Sequence, residues 1–269
     1  MAGALEGRRA VVTGASRGIG VAIARRFAAE GARVVVSARS VDSSATPGSL
    51  PGTITETAEL ISAAGGWAAA VPADLSRHED RERLVAEAEQ RLGGIHILVN
   101  NAAVTWFEPL TEFRLRHYDV MFEVQVKAAV HLAQLVLPGM RERHRGWICN
   151  ISSGAARHPR IPPSGRAASG AGTVYGMCKA ALERFTTGLA AEAFGWGVAV
   201  NALSPARVVR TPGTVFHGLV SGDSPEAEPP EVMAAAAVAL CSGDPALLTG
   251  RVATSQDLLE ELGLPVPAG

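Results

Sequence analysis

Apolar and polar positions along this chain fall into two alternating patterns. The valine-rich run Arg9 to Thr13 stops at a glycine-rich turn, and apolar residues then recur at helical spacing as far as Gly31. A second apolar run, Val34 to Val36, follows directly. A strand, a glycine turn, a helix and a second strand in this order predict one βαβ unit, whose two strands pair in parallel.

The same alternation continues through the rest of the chain. Further strands are predicted at Trp67 to Pro72, Ile95 to Val99, Trp147 to Ile151, Val198 to Leu203 and Arg251 to Ala253. Helices are predicted at Thr53 to Ala64, His78 to Leu92, Leu115 to Met140 with a break near Pro138, Val174 to Phe194, and Glu231 to Leu240. We therefore expect an α/β fold, a doubly wound parallel sheet of about seven strands with helices on both faces, in one domain over residues 1–269.

Composition narrows the function classes. The chain has 269 residues, 47% of them hydrophobic, so it can build a full core. The formal net charge of -1 gives no sign of a nucleic-acid or membrane partner. We predict neither a signal peptide nor a membrane span, since charges come early and the apolar runs are short. Three widely spaced cysteines (Cys149, Cys178 and Cys241) are typical of reduced thiols, which predicts a cytoplasmic protein.

The turn after the first strand reads Thr-Gly-x-x-x-Gly-Ile-Gly, from Thr13 to Gly20. Its glycines let backbone amides approach a pyrophosphate, and the amino end of the following helix favours the negative charge. A tight turn also needs glycine for its own sake, but the strand–turn–helix context favours dinucleotide binding. The coenzyme-binding residues expected in this turn are Gly14, Ser16, Arg17, Gly18, Ile19 and Gly20.

Tyr175 and Lys179 are four residues apart on a predicted helix, so a phenol and an ammonium share one face. A nearby cation favours the phenolate, which predicts a lowered tyrosine pKa and an acid–base group usable near neutral pH. Lys127 is the second lysine among 25 basic residues, and Tyr118 is the second tyrosine. The alternative is a solvated lysine one turn from an ordinary tyrosine.

These motifs, together with Asn100-Asn101-Ala102-Ala103 after the fourth strand, resemble the classical short-chain dehydrogenase/reductase family. The resemblance extends from about Gly7 to Arg251. It implies a Rossmann-like fold and an enzyme that interconverts a carbonyl and a secondary alcohol with NAD(P). It also implies a homo-oligomer, a tetramer or a dimer.

The resemblance also places the catalytic residues. It gives Ser153 as the serine that hydrogen-bonds the substrate, with Ser152 as the adjacent alternative, and Tyr175 as the general acid/base. Lys179 holds the nicotinamide ribose and keeps the phenol acidic. Similar proteins carry an asparagine in the long central helix, and this chain has Gln125 there, which adds a methylene to the proton relay.

The residues after the second strand bear on the choice of coenzyme. Arg39 stands where an acidic residue would bind a ribose hydroxyl pair, and Arg17 can converge on the same point. Two guanidiniums without a carboxylate predict NADP(H) over NAD(H). The alternatives are NAD(H) and two ordinary surface arginines.

Other coenzyme contacts follow from the resemblance. Asp74 is the candidate for the adenine amino group, although a turn residue before the next helix is an equal interpretation. The remaining lining residues implied by the resemblance are Leu75, Asn101, Ala102, Ala103, Pro205, Ala206 and Val208.

The substrate is expected to be a small apolar carbonyl or alcohol. Three variable segments would surround it, and they carry Trp106, Phe107, Ile161, Phe216 and Leu219. A long insert separates Ser153 from Tyr175. We predict no metal site. The alternative from another class is a nucleotide-binding protein without catalysis, which the Gln125 departure and the insert would favour.

Overall fold

The computed structural model describes residues 2–40, 50–162, 171–221, 224 and 226–268. Seven parallel strands form one sheet in the order β3-β2-β1-β4-β5-β6-β7. They are β1 Arg9–Thr13, β2 Arg33–Ser37, β3 Trp67–Ala70, β4 Ile97–Asn100, β5 Gly146–Ile151, β6 Val198–Ser204 and β7 Val252–Thr254. The predicted doubly wound α/β fold is confirmed.

Helices connect the strands and cover both faces of the sheet. Those in the described residues are α1 Gly18–Ala29, α2 Ile54–Ala63, α3 His78–Leu92, α4 Leu115–Phe122, α5 Ala128–Glu142, α6 Thr173–Glu192, α7 Pro212–Phe216, α8 Pro230–Ser242 and α9 Ser255–Glu261. Local signals set several of their ends. Thr53 caps α2 in a reciprocal capping box with Glu56, and Gly93 ends α3 at φ 78°.

The strands are apolar along both faces, because successive side chains point to opposite sides of a sheet that is covered twice. Val12 and Val34 face the core formed with α1, α2, α8 and α9. Val11 and Val35 face the opposite core, formed with α3, α5 and α6. The valine runs that identified the first two strands therefore contribute to both cores.

The strand order reverses between β1 and β4. From β1 the chain builds outward to β2 and β3, then returns to add β4 on the other side of β1. A crevice opens at such a reversal, outside the carboxyl ends of the two strands. Asn101 closes its floor, because its Nδ2 donates to the carbonyl oxygens of Thr13 (2.9 Å) and Gly14 (3.1 Å).

The long central helix breaks at a different point from the one predicted. A π-helical turn at Glu123–Lys127 separates α4 from α5, whereas Pro138 lies inside α5. The prediction of a break near Pro138 was wrong, since α5 continues through the proline although it lacks an N–H, and the extra residue of the π turn interrupts the helix earlier. The turn places Gln125 in the protein interior, with 2% of its surface exposed.

Several other boundaries differ from the prediction. The last strand begins one residue later, at Val252, and the tail after it forms α9. The Gly-, Ser- and Pro-rich stretch Thr214 to Pro230 predicts an irregular segment, but its first residues belong to the short helix α7, which starts with a proline and a Thr211–Thr214 capping box. The Ser-, Pro- and Gly-rich stretch 41–52 predicts a loop, and residues 158–172 form the predicted insert. Most of both stretches lies outside the described residues.

One helical stretch, Leu115–Glu142, is long and apolar enough to cross a membrane by length and composition alone. This stretch consists of α4, the π turn and α5. It contributes buried residues such as Met121, Leu132 and Met140 to the cores. Packing inside the fold therefore accounts for its apolar composition.

Candidate active site

Ser153 and Tyr175 come together at the carboxyl edge of the sheet. Ser153 follows the end of β5, where its side chain accepts a hydrogen bond from the Ala155 amide at 3.3 Å. Tyr175 lies in the first turn of α6, and the nearby Ser153 side chain acts to lower the pKa of its phenol. Two hydroxyl groups at one point can both donate to a substrate oxygen.

The neighbouring Ser152 has a different partner. Its Oγ donates to Oε1 of Glu183 on α6 at 2.5 Å, and only 4% of the residue is exposed. Since adjacent residues of an extended segment point to opposite sides, Ser152 turns away from the phenol that Ser153 contacts. The structure therefore favours Ser153 over the alternative that the sequence left open.

Lys179 lies one turn beyond Tyr175 on α6 and is only 3% exposed. Its Nζ donates to the Ile151 carbonyl oxygen at 2.9 Å and lies 5.7 Å from the centre of the Tyr175 ring. Burial lowers the pKa of Lys179 to about 8, because a low-dielectric site disfavours the ammonium. The predicted pairing of a phenol and an ammonium on one helix face is present.

The predicted effect of that ammonium on the phenol is wrong for this structure. Burial raises the pKa of Tyr175, and the hydrogen bond from Ser153 opposes the rise without cancelling it. The reason is that the same desolvation that weakens the lysine charge also penalises the phenolate. A neighbouring cation lowers a tyrosine pKa only where its attraction exceeds this cost.

The glycine turn after β1 has the close packing that a dinucleotide requires. Gly14 has φ 64°, and a Cβ there would lie 2.7 Å from Ala102 Cα, at the end of β4. A Cβ on Gly20 would lie 2.4 Å from the Gly14 carbonyl oxygen. Arg17, the N-cap of α1, provides no side-chain cap, so the first amides of α1 are left for another acceptor. These features fit a pyrophosphate group.

Comparison with known proteins agrees with this geometry. The sequence matches the short chain dehydrogenase family over residues 8–216. The chain belongs to the short-chain dehydrogenase family. It is therefore an NAD(P)-dependent oxidoreductase acting on CH–OH and C=O groups.

Individual relatives cover most of the chain. A ketoacyl reductase named HetN from Nostoc is 34% identical over 211 residues, which are 78% of this chain and 67% of the relative. A short-chain dehydrogenase from Mycobacterium thermoresistibile is 33% identical, with a TM-score of 0.81, and the match covers 97% of this chain and 89% of that one. A metagenomic short-chain oxidoreductase in complex with NADP is 30% identical, with a TM-score of 0.75, over 93% and 97% of the chains.

Gln125, which the resemblance places where similar proteins carry an asparagine, is buried with its amide group. Its Nε2 donates to the Val104 carbonyl oxygen at 2.8 Å. Its Oε1 is buried, with no partner among the described residues. The ammonium of Lys179 bonds to Ile151 instead, so the two groups of the expected relay have separate hydrogen bonds.

Arg17 and Arg39 lie close together, as the sequence predicts. Arg17 is held by the segment after residue 49, because its Nη2 donates to the carbonyl oxygens of Leu50 (2.9 Å) and Gly52 (3.0 Å). Burial and the neighbouring charge of Arg39 both lower the pKa of Arg17. Arg39 is exposed two residues beyond β2, so a guanidinium faces solvent where the short-chain dehydrogenase fold binds the adenosine end.

The carboxylate of Asp74 forms a local turn. Its Oδ1 accepts from the Ser76 amide (3.0 Å) and the Ser76 hydroxyl (2.7 Å). The alternative interpretation as a turn residue is thus present in the structure, and the adenine contact stays a prediction. Leu75 is buried in the core, and Ala103 is exposed after β4.

The segment after β6 holds Pro205, Ala206 and Val208 against a buried carboxylate. Glu228 Oε2 accepts from the Ala206 amide at 2.9 Å, and the Glu228 amide donates to the Val208 carbonyl oxygen at 2.9 Å. Glu228 could not be singled out from the sequence, because an acidic residue in a Pro- and Glu-rich stretch resembles a solvent-exposed loop residue. Thr211 lies beside the glycine turn, since a Cβ on Gly18 would lie 2.8 Å from its methyl group.

An aromatic wall lies next to the phenol. The Phe107 ring meets the Tyr175 ring edge-to-face at 5.4 Å between centroids, and meets His217 at 5.2 Å. His217 Nε2 lies 3.4 Å from the Thr105 hydroxyl, and burial lowers the histidine pKa. Trp106 stacks on His117 at 4.1 Å instead of facing the phenol. The sequence did not single out His217, which depends on the fold of the segment after β6 for its position.

A hollow of about 560 Å³ lies beside this wall. It is lined by Leu50, Pro51, Arg210, Thr211, Pro212, Val215 and Phe216. Ser153 and Tyr175 do not line this hollow, so it does not contain the two hydroxyl groups. Phe216 is 65% exposed and Ile161 is 84% exposed, which leaves both apolar side chains accessible.

A surface trio of His78, Glu82 and His131 has metal-ligand atoms within 4.8 Å of one another. It lies on α3 and α5, among residues that are separate from the hydroxyl pair. The two imidazole rings are stacked at 4.2 Å with 13° between their planes. A shared ion would require one ring to turn, because a ring nitrogen binds a metal in the plane of its own ring.

Proposed function

We propose that this short-chain dehydrogenase uses NADP(H) to interconvert a carbonyl and a secondary alcohol on an apolar small molecule. The observation that carries the proposal is that Tyr175 lies near Ser153 and has the buried Lys179 ammonium 5.7 Å from the centre of its ring. All three lie at the carboxyl edge of the sheet, next to a glycine turn that fits a dinucleotide.

In the proposed mechanism, Ser153 and Tyr175 both donate hydrogen bonds to the substrate oxygen. Tyr175 then transfers its proton to that oxygen during reduction. The ammonium of Lys179, which remains largely protonated at neutral pH, stabilises the phenolate that this transfer leaves. When bound, the coenzyme supplies or accepts the hydride at the nicotinamide. Gln125 has a free buried acceptor that can order a proton donor to Lys179.

Specific residues hold the coenzyme in this proposal. The turn residues Gly14, Ser16, Gly18, Ile19 and Gly20 cradle the pyrophosphate, and Lys179 binds the nicotinamide ribose. The adenosine end lies along Asp74, Leu75, Asn101, Ala102 and Ala103, and the nicotinamide end lies along Pro205, Ala206 and Val208.

The preference for NADP(H) rests on Arg39 and Arg17. Two guanidiniums lie together after β2, where the sequence reads Ser37-Ala38-Arg39 without a carboxylate. A 2′-phosphate would relieve the repulsion between them and accept charge-assisted hydrogen bonds from Arg39. The structurally similar oxidoreductase that holds NADP supports the same choice.

The substrate is proposed to be apolar because aromatic side chains flank the phenol. Phe107 contacts the Tyr175 ring directly, and Phe216 lies in the neighbouring hollow. A cytoplasmic location and a homotetrameric or homodimeric assembly complete the proposal. Native mass spectrometry would test the assembly.

A coenzyme and substrate screen tests this function. The wild type is mixed with NADPH or NADH and with steroid, quinone, acyl-thioester and sugar ketones, and the loss of reduced coenzyme is followed by absorbance. We expect faster oxidation of NADPH than of NADH with at least one apolar ketone. Ser153→Ala should lose about a hundredfold or more in kcat. Tight NADPH binding without oxidation across the panel would instead identify a nucleotide-binding protein without catalysis.

A further inference from the structure

Glu228 carries a buried carboxyl group that the proposed chemistry does not use. The residue is 1% exposed, and among the described residues its carboxylate has no ion-pair partner. Such a group is costly to bury and is tolerated where hydrogen bonds replace its lost hydration. The groups that donate hydrogen bonds to the carboxylate therefore explain why it can lie in the interior.

The donors to this carboxylate come from two segments. Oε2 accepts from the backbone amides of Ala206 (2.9 Å) and Arg207 (3.3 Å), directly after β6. Oε1 accepts from the hydroxyl of Ser255 at 2.6 Å, at the start of α9. Ser255 is itself fully buried, and its Oγ also lies 3.2 Å from the Ala206 amide. The carboxylate thus fixes two consecutive amides of the segment after β6 to a rigid helix end.

The backbone of Glu228 contacts the same segment. Its amide donates to the Val208 carbonyl oxygen at 2.9 Å, and its carbonyl oxygen accepts from the Arg210 amide at 3.3 Å. These contacts form a parallel bridge between Val209 and Glu228. Residues 206–210 and residue 228 are therefore held together. The segment of chain between them, which includes α7 and His217, begins and ends at this contact.

We propose that Glu228 is a positioning residue that presets the segment after β6 for the nicotinamide half of the coenzyme. This inference rests on the proposed function, in which Pro205, Ala206 and Val208 line that half. Because Glu228 holds both ends of the segment that contains α7, it also sets where Phe216 and His217 lie. The His217 ring contacts Phe107, whose ring contacts that of Tyr175. Its role is exerted through the backbone, since the carboxylate itself is occupied by protein donors.

Hydrogen exchange on the protein without added coenzyme tests the first part of this inference. In Glu228→Ala, exchange of the Ala206, Arg207 and Arg210 amides should accelerate at least about tenfold, while the amides of β1 and α1 keep their wild-type rates. Glu228→Gln keeps an acceptor oxygen and should show a smaller acceleration at the same amides. Leu258→Ala, a buried change on α9, is the control for general destabilisation and should not single out residues 206–210.

Ligand binding tests the second part. NADP⁺ and 2′,5′-ADP, which carries only the adenosine half, are titrated calorimetrically into the wild type and each variant. Glu228→Ala should weaken NADP⁺ binding about tenfold or more and leave 2′,5′-ADP binding unchanged. Equal losses for both ligands, or no loss for either, would overturn the inference, as would unchanged exchange at residues 206–210.

The two proposals fail in different ways. If the wild type binds neither ligand, the proposed function is wrong, and the nicotinamide role of Glu228 is overturned with it. If the wild type oxidises NADPH but Glu228→Ala binds both ligands normally, only the positioning role is wrong. Should Glu228→Ala not fold, Glu228→Gln and Ser255→Ala give the same comparison, since Ser255→Ala removes one donor and leaves the carboxylate in place.

Discussion

The two edges of the sheet use arginine in opposite ways. At the amino edge, the Arg8 guanidinium donates to the carbonyl oxygens of Cys241 and Ser242 at the end of α8, and lies 3.9 Å from the centre of the Trp147 ring. Arg9 donates to the Gly93 carbonyl oxygen at 2.6 Å, at the end of α3. At the carboxyl edge, Arg39 is exposed beside Arg17.

This difference follows from the direction of the helices. In a doubly wound fold, each helix runs back against the strands, so its carbonyl end lies at the amino edge and its amide end at the carboxyl edge. Cations at the amino edge neutralise helix ends and stabilise the protein. In the proposed function, the cations and the free amides at the carboxyl edge act together on the phosphates of the coenzyme. The role of an arginine in this protein therefore depends on whether it lies at the amino end or the carboxyl end of a strand.

The largest expected effect is at the carboxyl edge. Tyr175→Phe removes the proposed proton donor, so kcat should fall by roughly 10²- to 10⁴-fold, while NADPH affinity stays near the wild-type value. Steady-state kinetics on an accepted ketone, with NADPH binding measured by fluorescence, checks both statements. Retention of wild-type turnover would exclude Tyr175 as the acid/base.

Tyr118→Phe is the matched control, because Tyr118 is the second of the two tyrosines. Its ring stacks on Phe122 at 4.5 Å, a contact that phenylalanine preserves. The control should keep kcat and change the free energy of unfolding by no more than about 0.5 kcal/mol.

The next effect concerns pH. The pKa of Lys179 is lowered by burial to about 8 in the folded protein, against 10.5 as its ordinary value. Between these values the unfolded chain binds more protons, so the free energy of unfolding rises with pH. Relative to Lys179→Met, the wild type should gain stability from pH 8 to pH 10.5, by at most about 3 kcal/mol at 1.36 kcal/mol per unit.

Urea unfolding of both proteins across this window measures the gain. The comparison with Lys179→Met is needed because other groups also titrate above pH 8, and their contribution is common to the two proteins. A stability difference that does not change with pH would show that the ammonium is not buried.

Arg39→Ala should alter coenzyme choice and leave the fold unaffected. Losing charge-assisted hydrogen bonds to a 2′-phosphate should weaken NADPH binding about ten- to a hundredfold. NADH binding and the free energy of unfolding should change little, because Arg39 is exposed. Fluorescence titrations with the two coenzymes decide the point, and equal affinities of the wild type for both would exclude the phosphate argument.

Arg8→Met should give the reverse result at the amino edge. Removing the guanidinium leaves the carbonyl oxygens of Cys241 and Ser242 without it, and should lower the free energy of unfolding by about 1–2 kcal/mol. NADPH affinity should stay unchanged, since the residue lies at the opposite edge from the glycine turn. A loss of coenzyme binding without a loss of stability would contradict the division between the edges.

The sequence alone determined the features that depend on neighbours along the chain. Valine runs marked the first two strands, the glycine turn marked the tight connection between β1 and α1, and the spacing of Tyr175 and Lys179 placed both on one helix face. These predictions succeed because strand and helix periodicity are local properties of the chain. The residues gathered after β1, β4, β5 and β6 also followed, since parallel strands place their carboxyl ends at one edge.

Only the tertiary structure decided between alternatives that depend on distant residues and on solvent. It placed Ser153, not Ser152, against the phenol, and it revealed that Glu228 is buried under two backbone amides. It also reversed the expected direction of the Tyr175 pKa shift. Each of these depends on which atoms from remote parts of the chain exclude water around a polar group, and sequence spacing contains no information about that exclusion.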